Sequence, residues 1–431
     1  MSVTGAAGTG EVPGGGAPVP GAPLAETPAP DLAGPGRGVR PPPLWLLVLM
    51  TFCGTLAMHI FVPALPQAGR DLGASTGAMQ LTISLYLIGL AAGQLVYGPV
   101  SDRFGRRPVL FAGLALYTAA GLLAAVAPGP GWLVATRLLQ ALGGCAGLAL
   151  GRAIVRDTAG PTAAAGRLAL LNLMVTVGPG LAPSLGGALS ETLGWRSIFW
   201  GLAALGATTI ALSAWRLPET GRRAAGGSAA SLLRDYGQLL RSRAFAGYVV
   251  GGGCATTSMY AFMAASPFIF VEQLHRPVHE VGVYYLVLIG GVTLGSVIAN
   301  RLVARVGIER LLLRATLLGV GGAVLFLLAV LSGHLSVPLT LAPLLLFTVG
   351  CGVSSPLALT KAVGVNPKVI GSAAGLYGFG QMAIGALCTA LAGVGGNPAL
   401  AAAVVLVVAG VIGQLAFWTA LRAERAGAAR S

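Results

Sequence analysis

The chain has 431 residues, of which 55% are hydrophobic and only 9% charged, with mean hydropathy +0.81 and a formal net charge of +14. A water-soluble domain needs about a quarter of its residues charged to solvate its surface, and a disordered chain needs low hydrophobicity, so both classes are excluded. A nucleic-acid binder gathers positive charge on one solvated face; here the basic residues form short clusters between long apolar runs, the distribution of a polytopic membrane protein.

Residues 1–43 hold 10 Gly and 10 Pro and almost no large apolar side chains. Such a segment cannot bury enough surface to offset its ordering entropy, so it reads as a disordered cytoplasmic tail. It lacks the basic start and apolar core of a signal peptide. From Leu44 onward, twelve apolar segments follow, near 44–66, 79–99, 108–127, 131–153, 166–190, 197–216, 245–271, 281–303, 310–331, 336–360, 371–394 and 398–421. Each is long enough for a helix to cross about 30 Å of hydrocarbon. Abundant Ala and Leu with little alternation predict helices rather than barrel strands, and the internal Pro and Gly are tolerated in membrane helices.

Charge sets the orientation. With the N-terminus, the even-to-odd connections and the C-tail on one side, that side carries 23 Lys and Arg, and the other only Arg70, Arg196 and Arg276. The bias places both termini in the cytoplasm. The longest internal polar stretch, 217–244, divides the spans six and six, giving bundles at 44–216 and 245–421 and a short cytoplasmic tail at 422–431. Two halves joined by a basic linker suggest an internal duplication. A weak echo between GPVSDRFGRR (98–107) and GSVIANRLVARVGIER (295–310) agrees with it.

The five cysteines all fall inside predicted spans without a C-x-x-C pair, and buried Cys usually behaves as a small hydrophobe. His275 and His279 have the i, i+4 spacing of a metal pair, but they flank Arg276 and Pro277 in a loop and read as solvated; no metal is expected.

The loop between the second and third spans carries the strongest local signal. Gly98 and Gly105 permit close backbone approach and a tight turn. Asp102 can accept from the amides of a helix N-terminus or pair with an Arg. Arg103, Arg106 and Arg107 suit anchoring at an anionic leaflet. Their order favours a conformational latch over a simple topogenic loop.

This segment resembles the signature loop of the major facilitator superfamily, whose members are twelve-helix secondary transporters built from two six-helix bundles. More narrowly, the chain is similar to the bicyclomycin/chloramphenicol-resistance (Bcr/CflA) branch of bacterial drug:H⁺ antiporters. The resemblance rests on VPALPQAGRDLGAS (62–75), QLTISLYLIGLAAGQLVYGPVSDRFGRRPVL (80–110), RLLQALGGCAGLALGRAIVRD (137–157), GWRSIF (194–199) and GSAAGLYGFGQM (371–382).

In the fourth span Arg137 precedes Gln140 and a ladder of Gly143, Gly147 and Gly151. The ladder lets another helix approach closely, and an ionised Arg at mid-span is a functional-site hypothesis by default. The resemblance implies a part in proton coupling, against a structural Arg satisfied by backbone carbonyls. In the fifth span Gly178, Pro179, Pro183, Gly186 and Gly187 resemble the superfamily's antiporter motif, with Ala182 where Gly is usual. That resemblance implies a seal against proton leak.

The branch usually carries an Asp four residues before the Pro of the first span, and here His59 stands there. Imidazole titrates near neutral pH, so His59 suits a proton site, and equally a neutral polar contact. Helices 1, 4, 7 and 10 line the pathway in this fold, as the resemblance implies. Candidate substrate contacts are Gln80, Tyr86, Gln140, Tyr260, Ser354 and Gln381, each alternatively interhelical glue.

The reading that follows is an all-α bacterial inner-membrane protein with both termini cytoplasmic, exporting small amphipathic molecules as a monomer. The proton gradient supplies the energy, membrane lipids surround it, and neither cofactor nor nucleic acid is required. A transporter of one metabolite, such as a nucleobase or amino acid, remains open on the same fold. A membrane-embedded enzyme or a sensor is disfavoured, because no nucleophile with its base and no H-E-x-x-H cluster appears.

Overall fold

The computed structural model describes residues 42–159, 161–221, 229–366 and 369–428. Nearly all of the 1–43 tail, and Arg222 and Arg223 of the linker, lie outside the described residues.

The membrane helices are α1 (Leu44–Leu72), α2 (Thr76–Phe104), α3 (Arg106–Ala125), α4 (Pro130–Thr158), α5 (Pro161–Leu193), α6 (Arg196–Arg216), α7 (Arg243–Gln273), α8 (Val278–Val306), α9 (Ile308–Leu331), α10 (Val337–Gly364), α11 (Ile370–Ala392) and α12 (Pro398–Ala428). Eleven of these are long and apolar enough to cross a membrane among the described residues. The twelfth, α5, is 33 residues long and packs between α1 and α8. The fold is therefore the all-helical membrane architecture expected from the hydropathy pattern.

Local chemistry sets the ends. Ser75 and Ser242 cap α2 and α7 by accepting from the amides of Ala78 and Phe245. Gly105 and Gly307, at φ +98° and +82°, each make the whole connection between two long helices, α2–α3 and α8–α9. A left-handed backbone is accessible to glycine without the Cβ clash, so the two halves turn by the same device at the same place. Within the rods, α1 tightens to a 3₁₀ turn at Val62–Ala64 and α7 widens to π turns at Gly253–Thr257 and Phe268–Gln273.

Within the first half α4 packs against α1, α2 and α3; in the second, α10 packs against α8 and α9. Between halves the main contacts are α2 with α11 and α5 with α8. The buried side chains show where the halves join. At the end where α1 begins and α12 finishes, here the terminal face, each half has its own core. One is built from Leu47, Leu110 and Ile154, the other from Phe245, Leu312 and Phe417 and touched only by Leu95 of α2 from the first half. Toward the opposite face one core runs through both halves, from Phe61 and Trp195 to Phe262, Phe268 and Val281. The bundles are thus fused on the opposite face and separate on the terminal one.

The 217–244 stretch, expected as a plain polar linker, contains a helix at Ala229–Arg241. It lies against α7 and α11 and buries Leu239 in the second-half core. Tyr236 and Leu239 give it an apolar stripe one turn long.

Candidate functional site

The largest buried polar group lies in the first half. Arg137 is fully buried on α4, and its Nη1 donates to Gln140 Oε1 at 2.7 Å. Among the described residues its Nε and Nη2 have no hydrogen-bond partner. Aromatic faces surround it: Tyr86 at 4.1 Å from ring centroid to guanidinium carbon, Phe61 at 5.7 Å and Phe199 at 5.8 Å. A desolvated cation–π contact contributes about 2 kcal/mol, against the several kcal/mol that burying an ion costs. Arg137 is thus held by ring faces and one hydrogen bond, with two N–H-bearing atoms left for another acceptor. Tyr86 is itself fixed, donating to the Gly54 carbonyl at 2.8 Å, and Gln140 is committed to Arg137. Both expected contact residues thus serve first as the setting of the guanidinium. Among the α4 glycines, Gly143 faces α3 at Tyr117, while Gly147 meets the Met50 carbonyl and Gly151 the Thr51 hydroxyl of α1.

His59 is buried on α1. Its Nδ1 donates to the Thr55 carbonyl at 2.8 Å, and among the described residues Nε2 has no partner. Because a carbonyl only accepts, Nδ1 carries the proton, leaving Nε2 as the free acceptor in the neutral ring. The ring lies across the boundary between halves from Tyr260 of α7, with centroids 6.3 Å apart. Beside Tyr260, α11 crosses at Gly385, where a Cβ would lie 3.0 Å from the Tyr260 ring. Gln381 Nε2 donates to Thr256 Oγ1 at 2.9 Å, and its carbonyl accepts from Thr257 Oγ1 at 2.8 Å, so it ties α11 to the π turn of α7.

Two expected contact residues lie elsewhere. Ser354 is fully buried and turns toward α9, with its Oγ 3.4 Å from Thr316 Oγ1. Gln80 sits at the α2–α11 seam near the opposite face, where its Oε1 would be 3.0 Å from a Cβ on Gly393. Both its amide atoms are buried without partners. Helix rotation, which residue identity does not specify, decides both placements.

The α2–α3 loop forms a charge knot. Arg106 Nη1 lies 2.6 Å from Asp102 Oδ1, and its Nε 2.9 Å from Asp157 Oδ2 at the end of α4. Of the two roles open to Asp102, the structure takes the pairing with Arg. The amides opening α3 go instead to Glu219, which accepts from Arg106 N at 2.9 Å and Arg107 N at 3.1 Å. Glu219 was missed in the sequence; its signal was an isolated acidic residue just past a span that ends beside this loop. Arg107 donates to the Ala214 carbonyl at 2.8 Å, and Arg103 packs over Phe104. Arg106 thus turns into the protein rather than out to lipid, and Arg103 keeps the exposed position. Gly98, expected at a close approach, has open space where a Cβ would go.

The second half repeats the knot with signs reversed. Glu309, opening α9, binds Lys361 Nζ at 3.4 Å and Arg425 Nη2 at 2.6 Å, and Lys361 also reaches Glu424 at 2.8 Å. Across the opposite face an ion pair and a histidine–carboxylate contact link the halves themselves. Arg70 meets Glu272 at 3.5 Å, and Glu191 accepts the His279 amide at 3.2 Å with the imidazole 3.5 Å away.

The α5 glycines divide between two neighbours. Gly178 packs on Thr55 of α1, and Gly186 lies directly against the Ile60 carbonyl, with no room for a side chain. Gly187 faces Val278 and His279 of α8, and Ser184 fits against Gly282 of α8. Pro179 and Pro183 remove amide donors inside this helix.

Residues 47–389 match the Major Facilitator Superfamily. The chain belongs to that superfamily. It is 31% identical over 392 residues to the uncharacterized MFS-type transporter YdgK of Bacillus subtilis (strain 168), covering 89% of this chain and 96% of that one. It is 31% identical to multidrug resistance protein D of Escherichia coli (strain K12), over 78% of this chain and 84% of the relative. A third relative, multidrug resistance protein MdtL of E. coli O81 (strain ED1a), is 34% identical over 50% of this chain and 54% of its own. Among solved structures, the fold matches a bacterial homologue of the human lysosomal transporter Spinster, inward-facing and occupied, with TM-score 0.68, 15% identity and 90% and 98% of the two chains covered. It also matches a D-xylose–proton symporter, with TM-score 0.66, 14% identity and 86% and 96% covered. The chain is a multi-pass membrane transporter of this superfamily, not an enzyme.

Proposed function

We propose that this transporter is a proton-coupled exporter of small amphipathic compounds in the bacterial inner membrane, akin to the Bcr/CflA branch and acting as a monomer. The observation that carries the reading is His59, a buried imidazole with a free Nε2, placed where the first half meets Tyr260 of the second. A group that gains and loses a proton at this seam can make proton binding and the relative position of the halves depend on one another. Two relatives bear multidrug-resistance names, which supports a drug-like cargo.

Arg137 is the fixed charge beside this site. Loss of a proton from His59 and arrival of substrate take place at the same, cytoplasmic face, and uptake of a proton and release of substrate at the other, so that the two move in opposite directions in an antiport cycle. With a buried guanidinium and, among the described residues, no carboxylate against it, the site suits neutral, zwitterionic or anionic lipophiles and disfavours cations. If the basic terminal face is cytoplasmic, the fused opposite face makes this an inward-facing state. The latch residues Asp102 and Arg106 and the α5 glycines act on the swing between states. The energy comes from the proton gradient, without a cofactor.

The test is transport into proteoliposomes with an imposed pH gradient, using a panel of neutral, zwitterionic and cationic fluorescent lipophiles. Accumulation should follow the gradient and collapse with a protonophore. Accumulation indifferent to the gradient refutes antiport.

A further inference from the structure

On the outer wall of the second half, two grooves share Val250 of α7. One, of about 690 Å³, lies between α7 and α12 at the terminal face and carries Arg243, Arg422, Trp418 and Thr419. The other, of about 940 Å³, runs on from Val250 and Cys254 along the apolar sides of α11 and α12. From Arg243 to Cys254 a helix rises on the order of 16 Å, which matches half of a hydrocarbon core about 30 Å thick. The basic end therefore sits at headgroup depth of the terminal-face leaflet and Val250 and Cys254 at the depth of its acyl chains, toward the midplane, beyond which the apolar groove continues to the α11–α12 turn at Asn397.

The two arginines differ from their cationic neighbours. Arg425 and Lys361 are bound by Glu309 and Glu424, whereas among the described residues Arg243 and Arg422 have no carboxylate partner. The Arg422 guanidinium lies 3.3 Å over the Trp418 ring, which fixes its direction and leaves its N–H edge free. The groove floor is rigid, since α7 meets α12 at Gly247, where a Cβ would be 2.8 Å from the Ala416 carbonyl.

We propose that this composite groove is a binding site for an anionic phospholipid of the terminal-face leaflet. Arg243 and Arg422 take its phosphate, Trp418 marks the interface, and an acyl chain lies along Val250 and Cys254. Two unpaired guanidinium groups match a phosphate bearing net negative charge and repel the ammonium of a zwitterionic headgroup. The basic mouth and most of the groove lie on α7 and α12 of one half, so the site persists as the halves rock, and the lipid is a resident one.

Native mass spectrometry and thermal denaturation of the purified full-length chain test this, with phosphatidylglycerol and phosphatidylcholine of identical acyl chains and inorganic phosphate as probes. Phosphatidylglycerol should be retained one to one, at least fivefold more than phosphatidylcholine, and should raise Tm, while phosphate alone should not. Arg243→Gln with Arg422→Gln should reduce retention at least fivefold, whereas Arg310→Gln with Arg314→Gln, on α9 of the same face, should not. Arg243→Lys with Arg422→Lys should keep most of the retention. Equal retention of the two lipids by the unmodified chain overturns the proposal whether or not the variants fold. So does equal loss in the α9 variant, or the full thermal shift from phosphate alone.

Discussion

His59 of α1 and Tyr260 of α7 face each other across the boundary between halves, with ring centroids 6.3 Å apart. The imidazole is anchored to its own helix through Nδ1, so only Nε2 is free to respond to what crosses the seam. His59→Ala should abolish gradient-driven accumulation while leaving counterflow of substrate across an equilibrated membrane. His59→Asp should restore part of the gradient dependence, because a carboxyl group also exchanges a proton. Gradient-driven transport by the Ala variant at unmodified rates removes His59 from the coupling.

Arg137 gives an unusual pairing of effects. Removing a buried, incompletely paired ion also removes the desolvation cost it carries. Arg137→Gln should therefore keep or raise Tm while transport falls at least tenfold. Arg137→Lys should transport poorly too, since an ammonium cannot reproduce the planar fork against Gln140 and Tyr86. Parallel loss of Tm and transport in the Gln variant would make the residue structural.

Glu219 caps the helix that follows the latch. Glu219→Ala frees two amides at the start of α3 and should cost roughly 0.5–1 kcal/mol, read as a lower Tm. Glu219→Gln keeps an acceptor oxygen and should lose less. Asp102→Asn leaves this cap intact, so it should alter transport more than stability.

Gly98 and Gly186 make a contrast within two shared motifs. Gly186→Ala forces a methyl onto the Ile60 carbonyl and should lower Tm by several degrees, at roughly 1–3 kcal/mol for overpacking. Gly98→Ala meets open space and should leave Tm unchanged. A transport defect in Gly98→Ala at unchanged Tm locates its close contact in the alternate conformation. A drop in Tm equal to that of Gly186→Ala contradicts the packing described here.

The polar links across the opposite face, Arg70 with Glu272 and His279 with Glu191, should hold the halves together there. Arg70→Gln with Glu191→Gln removes one partner from each link. Cysteine-labelling reagents should then reach the seam from that face more readily, by a few-fold, in a cysteine-free background carrying one cysteine at Tyr260. Unchanged labelling shows that the shared apolar core alone keeps that face closed.

The span count was legible in the sequence, and so was the presence of Arg137 at mid-span, because both depend on local composition. Moving an apolar side chain or an ion into hydrocarbon has a free energy fixed by the residue itself, and the sum over about twenty neighbours decides whether a segment crosses. The turn at Gly105 was legible for the same kind of reason, since it needs only one residue without a Cβ. Partnership was another matter. That Glu219 rather than Asp102 caps α3, that Ser354 turns to Thr316, that Gln80 lies at the α2–α11 seam and that Gly98 faces open space all follow from helix rotation and depth. Those are settled by packing between segments distant in the chain, which no local pattern encodes. The sequence alone therefore determined that this chain lives in a membrane and roughly where it crosses. Only the tertiary structure decided that His59 meets Tyr260 and that Arg137 is left with unsatisfied donors, since both depend on which helix faces stand opposite one another.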